Sequence, residues 1–297
     1  MKRLSASVMA MGLAMVAVPA FATTYVPAEM KCPVGGKKFS YQAMASNSSW
    51  GARPDGKRYS PTPVGPIPEC PDNHLVVYRE FTKDEVVRLK GLIESADYKA
   101  MTGVEMPYYR AAWLEKALSG ANQNHAWMLL TASWEAEDGS GQKARYQAEF
   151  AVAAAALPPQ PEDEAWRMLA VRVANARREL GDFAGATAAL EALPLAKLAQ
   201  GLPATEAEAE RLGDRSKLDI WYFLDFVRRL QVVIARQDRS ADPIDMIGAR
   251  IAAQKCFFEA EALSEADKSL CQDAEIQAEI ADNLEYWTEA KAERGAQ

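Results

Sequence analysis

The sequence predicts a mainly α-helical fold, an irregular antiparallel array of helices behind a small N-terminal head of loops and strands. Three observations carry that prediction. Residues 23–73 are dense in Gly, Pro, Ser and Asn and include the run Ser60-Pro61-Thr62-Pro63-Val64-Gly65-Pro66-Ile67-Pro68. Proline there removes amide donors and holds the residue before it extended, so no long helix can form. From about residue 82 the composition turns to Ala, Leu and Glu with apolar residues at helical period. Breaks at Gly103, Pro107, Gly120, Gly139, Gly181, Pro194, Pro203 and Pro243 space the helices so closely that antiparallel neighbours should stack.

Residues 1–22 precede the head. Lys2 and Arg3 open them, an apolar stretch runs from Val8 to Val18, and Ala20-Phe21-Ala22 closes them. That is the layout of a secretory signal peptide cleaved after Ala22. The stretch, at about ten residues, is too short for a bilayer core that needs about twenty. Thr23 at the first mature position gives no sign of a lipid anchor. The expected location is the periplasm or the medium, with no integral membrane segment after cleavage.

The head, residues 23–81, contains Cys32-Pro33-Val34-Gly35-Gly36-Lys37-Lys38-Phe39 and Cys70-Pro71-Asp72-Asn73-His74. A Cys-Pro-x-Cys-Gly knuckle supplies two zinc thiolates from one tight turn. Here Gly35 and Asn73 stand where the second thiolates belong, so the head reads as a degenerate zinc ribbon. Leu75-Val76-Val77-Tyr78-Arg79-Glu80-Phe81 is the best strand candidate of this region, being short, β-branched and aromatic. Thr82 should cap the first helix of the body.

The α-helical domain, residues 82–297, is expected to hold helices near 83–95, 107–119, 122–137, 142–156, 162–180, 183–193, 205–211, 216–237, 243–262 and 265–293. In an exported chain the four cysteines favour two disulfides. Cys256 and Cys271 flank a break at Ala262-Leu263-Ser264, each about two helical turns from it. An antiparallel helix pair would bring them level. Cys32 and Cys70 remain as the second bridge. The competing reading is a zinc site with an open position built from Cys32, Cys70 and His74, which needs both of the thiols that a bridge would consume.

The stretch from Ala176 through Leu180-Gly181-Asp182-Phe183 to Pro194 resembles the middle of a tetratricopeptide repeat. Gly181 makes the turn, Phe183 follows it, and Ala186 lets the second helix approach. Trp166 lies about one turn too far back to serve as the repeat's upstream tryptophan. Together, Cys32-Pro33, Gly36, Phe39, Cys70-Pro71 and Leu180-Gly181-Asp182-Phe183 resemble the bacterial domain-of-unknown-function family 2225. The likeness covers about residues 31–194. It implies a zinc-ribbon-like head on a tetratricopeptide-like helical body, with departures at Gly35 and Asn73, and it implies no reaction.

The formal net charge of −7 leaves no basic footprint for nucleic acid, which needs clustered Lys and Arg. There are two histidines, His74 and His125, and His125 is expected as a polar residue in the first turn of a helix. No Gly-x-Ser-x-Gly, phosphate loop or dinucleotide fingerprint occurs. The run Trp221-Tyr222-Phe223-Leu224-Asp225-Phe226 spreads large side chains widely around a helix and predicts a central core element. Its other reading is that one side, at Trp221, lines a groove faced by Tyr108, Tyr109 and Trp113. Repeat-type arrays use concave surfaces for partners. The chain is therefore expected to be an exported binding or assembly module for a protein or peptide partner, non-catalytic and without a cofactor. A zinc-retaining head and an enzyme of unidentified type are the alternatives.

Overall fold

A computed structural model of the chain describes residues 23–295. The signal peptide expected over residues 1–22 lies outside the described residues. Within them, thirteen α-helices account for most of the structure and one two-stranded antiparallel sheet stands near the N-terminus. No helix described is long and apolar enough to cross a membrane.

Strands β1 (Thr24–Lys31) and β2 (Lys38–Ser46) form a hairpin in which Lys31 faces Lys38 and Tyr25 faces Met44. The first knuckle is the turn of this hairpin. The Cys32 N–H donates to the Lys37 carbonyl at 2.9 Å and the Gly36 N–H to the Cys32 carbonyl at 3.2 Å. The second knuckle repeats both bonds, from Cys70 N–H to the Leu75 carbonyl at 2.9 Å and from His74 N–H to the Cys70 carbonyl at 3.0 Å. Gly36 and His74 hold equivalent left-handed positions, with φ of 72° and 57°.

The strand expected at residues 75–81 is reduced to one bridge, Glu69 to Val76. The physical reason lies in its partner, since Pro61, Pro63, Pro66 and Pro68 have no amide with which to extend a ladder. After the Val77 N–H has reached the Pro68 carbonyl at 2.8 Å, the chain turns away. Arg79 then bonds Glu85 at 2.6 Å and Glu115 at 3.3 Å.

The body begins with α1 (Lys83–Glu94), capped by a Thr82–Glu85 capping box, and the short α2 (Ala96–Met101). Next come α3 (Pro107–Ser119), α4 (Gln123–Glu135), α5 (Gly141–Ala155), α6 (Glu164–Leu180) and α7 (Phe183–Glu191). Each of the first four packs on the one after it, and α7 closes the run. Asn122, Ser140, Asp163 and Asp182 each accept an N-terminal amide of the helix they precede, which occupies donors the helix itself cannot use. The repeat-like turn forms as read: Gly181 is left-handed at φ 87°, and Ala186 is fully buried beside Val171 and Ala174.

Two short helices, α8 (Leu195–Leu198) and α9 (Glu206–Arg211), lead to the long α10 (Arg215–Ala235). The helix expected over 243–262 is instead a 3-10 turn at Ile244–Met246 followed by α11 (Ala249–Phe258). Arg236 grips Asp245 at 2.5 Å and Asp238 at 2.9 Å, and the extended Ile247 with Gly248 separates turn from helix. The helix expected over 265–293 is split into α12 (Glu265–Leu270) and α13 (Ala274–Gly295). Asp273 was the unread signal, because its carboxylate accepts the Glu275 amide at 2.9 Å and starts a new helix. The disulfide Cys256–Cys271 forms, but the helix packed along α11 is α13.

The head shares its core with the body. Cys32, Cys70, Leu75 and Val76 lie in one buried cluster with Leu89, Ile93, Tyr98 and Leu114 of the first three helices. A second head segment runs across the array: Arg53 pairs with Asp138 at 2.7 Å, Arg172 donates to the Pro54 carbonyl, and Trp50 and Tyr59 pack against the C-terminal cluster around Ile251 and Trp287.

Candidate functional site

Helices α6 and α10 run side by side in the same direction, with Arg172 over the Phe226 ring and Arg178 reaching the Asp238 carbonyl at 2.7 Å. Val171, Ala174, Val227 and Leu230 join them in a buried apolar cluster. Toward their N-terminal ends they enclose a crevice of about 910 Å³, closed on one side by Leu198 of α8. On α6, Glu164, Arg167, Met168 and Arg172 line it; on α10, Arg215, Asp219, Phe223 and Phe226 do so. Each set recurs at spacings of three and four residues, which places it on one helix face.

The electrostatics of the crevice are uneven. Arg215 and Asp219 pair at 3.0 Å. Arg167 donates to the carbonyls of Pro161 and Glu162 at 3.0 and 2.9 Å. The Arg172 guanidinium stacks 5.1 Å above the Phe226 ring and donates to the Pro54 carbonyl. Burial lowers Arg172 below the ordinary arginine value, opposed by the charge of Asp55. Among the described residues, Arg167 and Arg172 have carbonyl partners and no carboxylate within ion-pair distance. The crevice lining has neither His nor Cys; aromatic faces and guanidinium groups suit it to holding a ligand.

The four residues expected at a groove are not brought together. Tyr108 and Tyr109 pack with Tyr146 beside α4 and α5, Tyr109 stacking on Tyr146 at 4.6 Å. Trp113 lies against Tyr98 at 5.9 Å, in the cluster shared with the head. Trp221 is buried, with its ring edge against Tyr222. The aromatic helix does reach a groove, but through Tyr222, Phe223 and Phe226. Sequence reasoning missed Arg167 and Arg172 as well. The usable signal was the matching three-and-four spacing on α6 and α10, although nothing in it says which helix faces which. His125 stands in the first turn of α4, as expected, with its amide on the Asn122 side chain at 2.9 Å and its ring buried.

In the head, Cys32 and Cys70 are joined, with Cα atoms 5.7 Å apart. Asn73 takes over part of the role of a ligand: its side-chain oxygen accepts the Leu75 amide at 3.1 Å and its nitrogen donates to the Val34 carbonyl at 3.1 Å. That side chain spans the two knuckles. His74 faces away from the sulfurs onto Glu69 at 2.7 Å, and Glu69 also takes Arg110 at 2.6 Å. The donor set for zinc therefore does not fit, since both sulfurs are in a bridge and the other two knuckle positions are glycine and asparagine. Among the described residues no group of three or more His, Cys, Asp or Glu is arranged to hold a metal.

Two further polar sites lie inside the array. Lys143 is 4% exposed and contacts Asp138 at 2.8 Å and Glu179 at 3.4 Å. Burial raises Glu179 above the ordinary carboxylate value, with nearby Asp55 adding to the rise. Glu135 accepts the Tyr108 amide at 2.9 Å, at the start of α3. Burial pushes its carboxyl up to about 7, against the opposing pull of that amide and of Arg110. Both sites join helices and neither opens onto the crevice.

No family model matches the chain, and the comparisons with curated proteins and with solved structures likewise give no match, so the resemblance to family 2225 rests on the residues that carry it.

Proposed function

We propose that this chain is an exported, non-catalytic binding or assembly module that holds a segment of a protein partner in the crevice between α6 and α10. The observation that carries the reading is the crevice itself: about 910 Å³, with Met168, Phe223 and Phe226 exposed to it and arginines at its side. That volume is at the upper end of the roughly 300–1,000 Å³ of ligand sites. Parallel neighbouring helices lining a groove are also how helical-repeat proteins present partner surfaces. Two disulfides support export, because such bonds persist in oxidising compartments. A degenerate ribbon head of the family 2225 kind accounts for the paired knuckles.

The test is photo-crosslinking in intact cells with a photoreactive residue at Phe223, compared with one at the exposed Val152. A partner captured at the first position and not the second, and lost on Phe226→Ala, is expected. Capture that ignores both the position and Phe226 would remove the crevice from the reading. N-terminal sequencing of the chain from the periplasmic fraction should begin at Thr23.

A further inference from the structure

Resting on the crevice as the binding site, we infer that it selects a partner segment in which a large apolar side chain stands next to a carboxylate. The apolar half of this assignment comes from Met168, Phe223 and Phe226, three side chains that face the same cavity. The charged half comes from Arg167 and Arg172. A neutral carbonyl satisfies one donor of a guanidinium without forming an ion pair, and each of these arginines is hydrogen-bonded by carbonyls alone, with Asp55 acting on Arg172 and Glu162 on Arg167 only from beyond ion-pair distance. Asp219 is already engaged by Arg215 at 3.0 Å. Two guanidiniums without an ion-pair partner thus share the lining with one remaining carboxylate, Glu164. A guanidinium accepts a carboxylate through two parallel N–H bonds, and such charge-assisted bonds are about twice as strong as neutral ones. Arg172 lies directly on the Phe226 face, so a carboxylate taken there sits one aromatic ring away from the apolar wall. Aromatic or aliphatic residues lacking an acid would leave both cations desolvated and unpaired.

Two fluorescent probes separate the halves. 8-Anilinonaphthalene-1-sulfonate and N-phenyl-1-naphthylamine share an aromatic body, and only the first carries an anion. Titration of the full chain should give at least about tenfold tighter binding of the anionic probe, the scale of one charge-assisted contact. Arg167→Gln should remove most of that advantage and leave the neutral probe unchanged. Arg172→Gln should do the same, and Arg172→Lys should restore part of it. Phe223→Ala should weaken both probes. Arg167→Gln carries the test if the Arg172 variants misfold, since its partners are loop carbonyls. Finally, an acetylated five-residue peptide with aspartate beside phenylalanine should displace the anionic probe, and its asparagine counterpart should not. Equal binding of the two probes, indifferent to both arginines, would overturn the anion selection and leave crevice binding standing. Probe binding indifferent to Phe223→Ala would overturn both readings, and failure of the acidic peptide to compete would overturn the peptide assignment.

Discussion

Removing the head disulfide by Cys32→Ala together with Cys70→Ala should destabilise the chain more than removing the C-terminal one. The Cys32–Cys70 bridge spans a sequence separation of 38 and the Cys256–Cys271 bridge one of 15. Loop-closure entropy alone then assigns about 4 kcal/mol to the first and about 3 kcal/mol to the second. The head sulfurs are also more deeply buried, at 2% and 0% exposure against 8% and 7%. Truncation there leaves a void among Leu75, Val76 and Leu89, adding about 1 kcal/mol. Asn73 still ties the knuckles after the bridge is gone, so the turns should loosen rather than vanish. Urea unfolding followed by tryptophan fluorescence gives the global order of stability, and tryptic cleavage at Lys37 and Lys38, in the first knuckle, gives the local one. A head variant no less stable than the Cys256→Ala/Cys271→Ala variant, or cleavage at Lys37 unchanged, would refute the reasoning.

Three further outcomes follow from individual contacts. The Glu135 carboxyl sits at about 7 in the fold, above its ordinary value. Stability should therefore fall as pH rises from about 4.5 through 7, and Glu135→Gln should be near neutral at pH 4.5 but stabilising by up to about 3 kcal/mol at pH 8; equal urea midpoint shifts at both pH values would contradict this. Asn73→Ala leaves the Leu75 amide and the Val34 carbonyl without that partner and should cost about 2 kcal/mol, measured by the same unfolding assay. Lys143→Met takes the ammonium from buried Glu179, which keeps Arg178 at 3.8 Å and the amides of Gln147 and Asn175 at 2.7 and 2.8 Å, and should cost about 2 kcal/mol, whereas Lys143→Met with Glu179→Gln should recover most of it; a double variant as unstable as the single one would show that the pair is not the cause.

The helical body was legible because its signals are local. Thr82, Gly120, Ser140 and Gly181 each act within a few residues of the helix end they set, and such capping depends little on distant contacts. The pairing of Cys256 with Cys271 was readable for the same reason. What escaped was decided at long range. The strand expected at 75–81 had the right composition, but whether it pairs depended on a proline-rich partner about ten residues upstream. Tyr108, Tyr109, Trp113 and Trp221 admit a groove as a second reading beside a core, because large aromatics suit both, and three separate packing environments hold them, Trp221 in the interior that the first reading expects. The crevice could not be read because its two walls, α6 and α10, lie about fifty residues apart in the chain with three helices between them.

The placement of Arg172 connects the head to the crevice. Its guanidinium is held between the Phe226 ring on one side and the Pro54 carbonyl on another, and Pro54 belongs to the head segment that crosses the array. Gly56, at φ 97°, lets that segment approach; a Cβ there would come within 3.2 Å of Trp134 and 3.4 Å of Arg172. The segment is fixed at two further points, by Arg53 on Asp138 and by Tyr59 bonded to Asp242 at 3.3 Å. The head thus acts as a brace whose near end is closed by the Cys32–Cys70 bridge and whose far part rests on the C-terminal cluster. Under the binding reading this gives the disulfide a functional consequence. Loosening the head should free Arg172 from Pro54 and lower its ability to present a charge at a fixed place, because preorganised cations bind more tightly than mobile ones. The anionic probe should therefore lose affinity in the Cys32→Ala/Cys70→Ala variant while the neutral probe keeps it. A head that merely covers the end of the array would leave both unchanged.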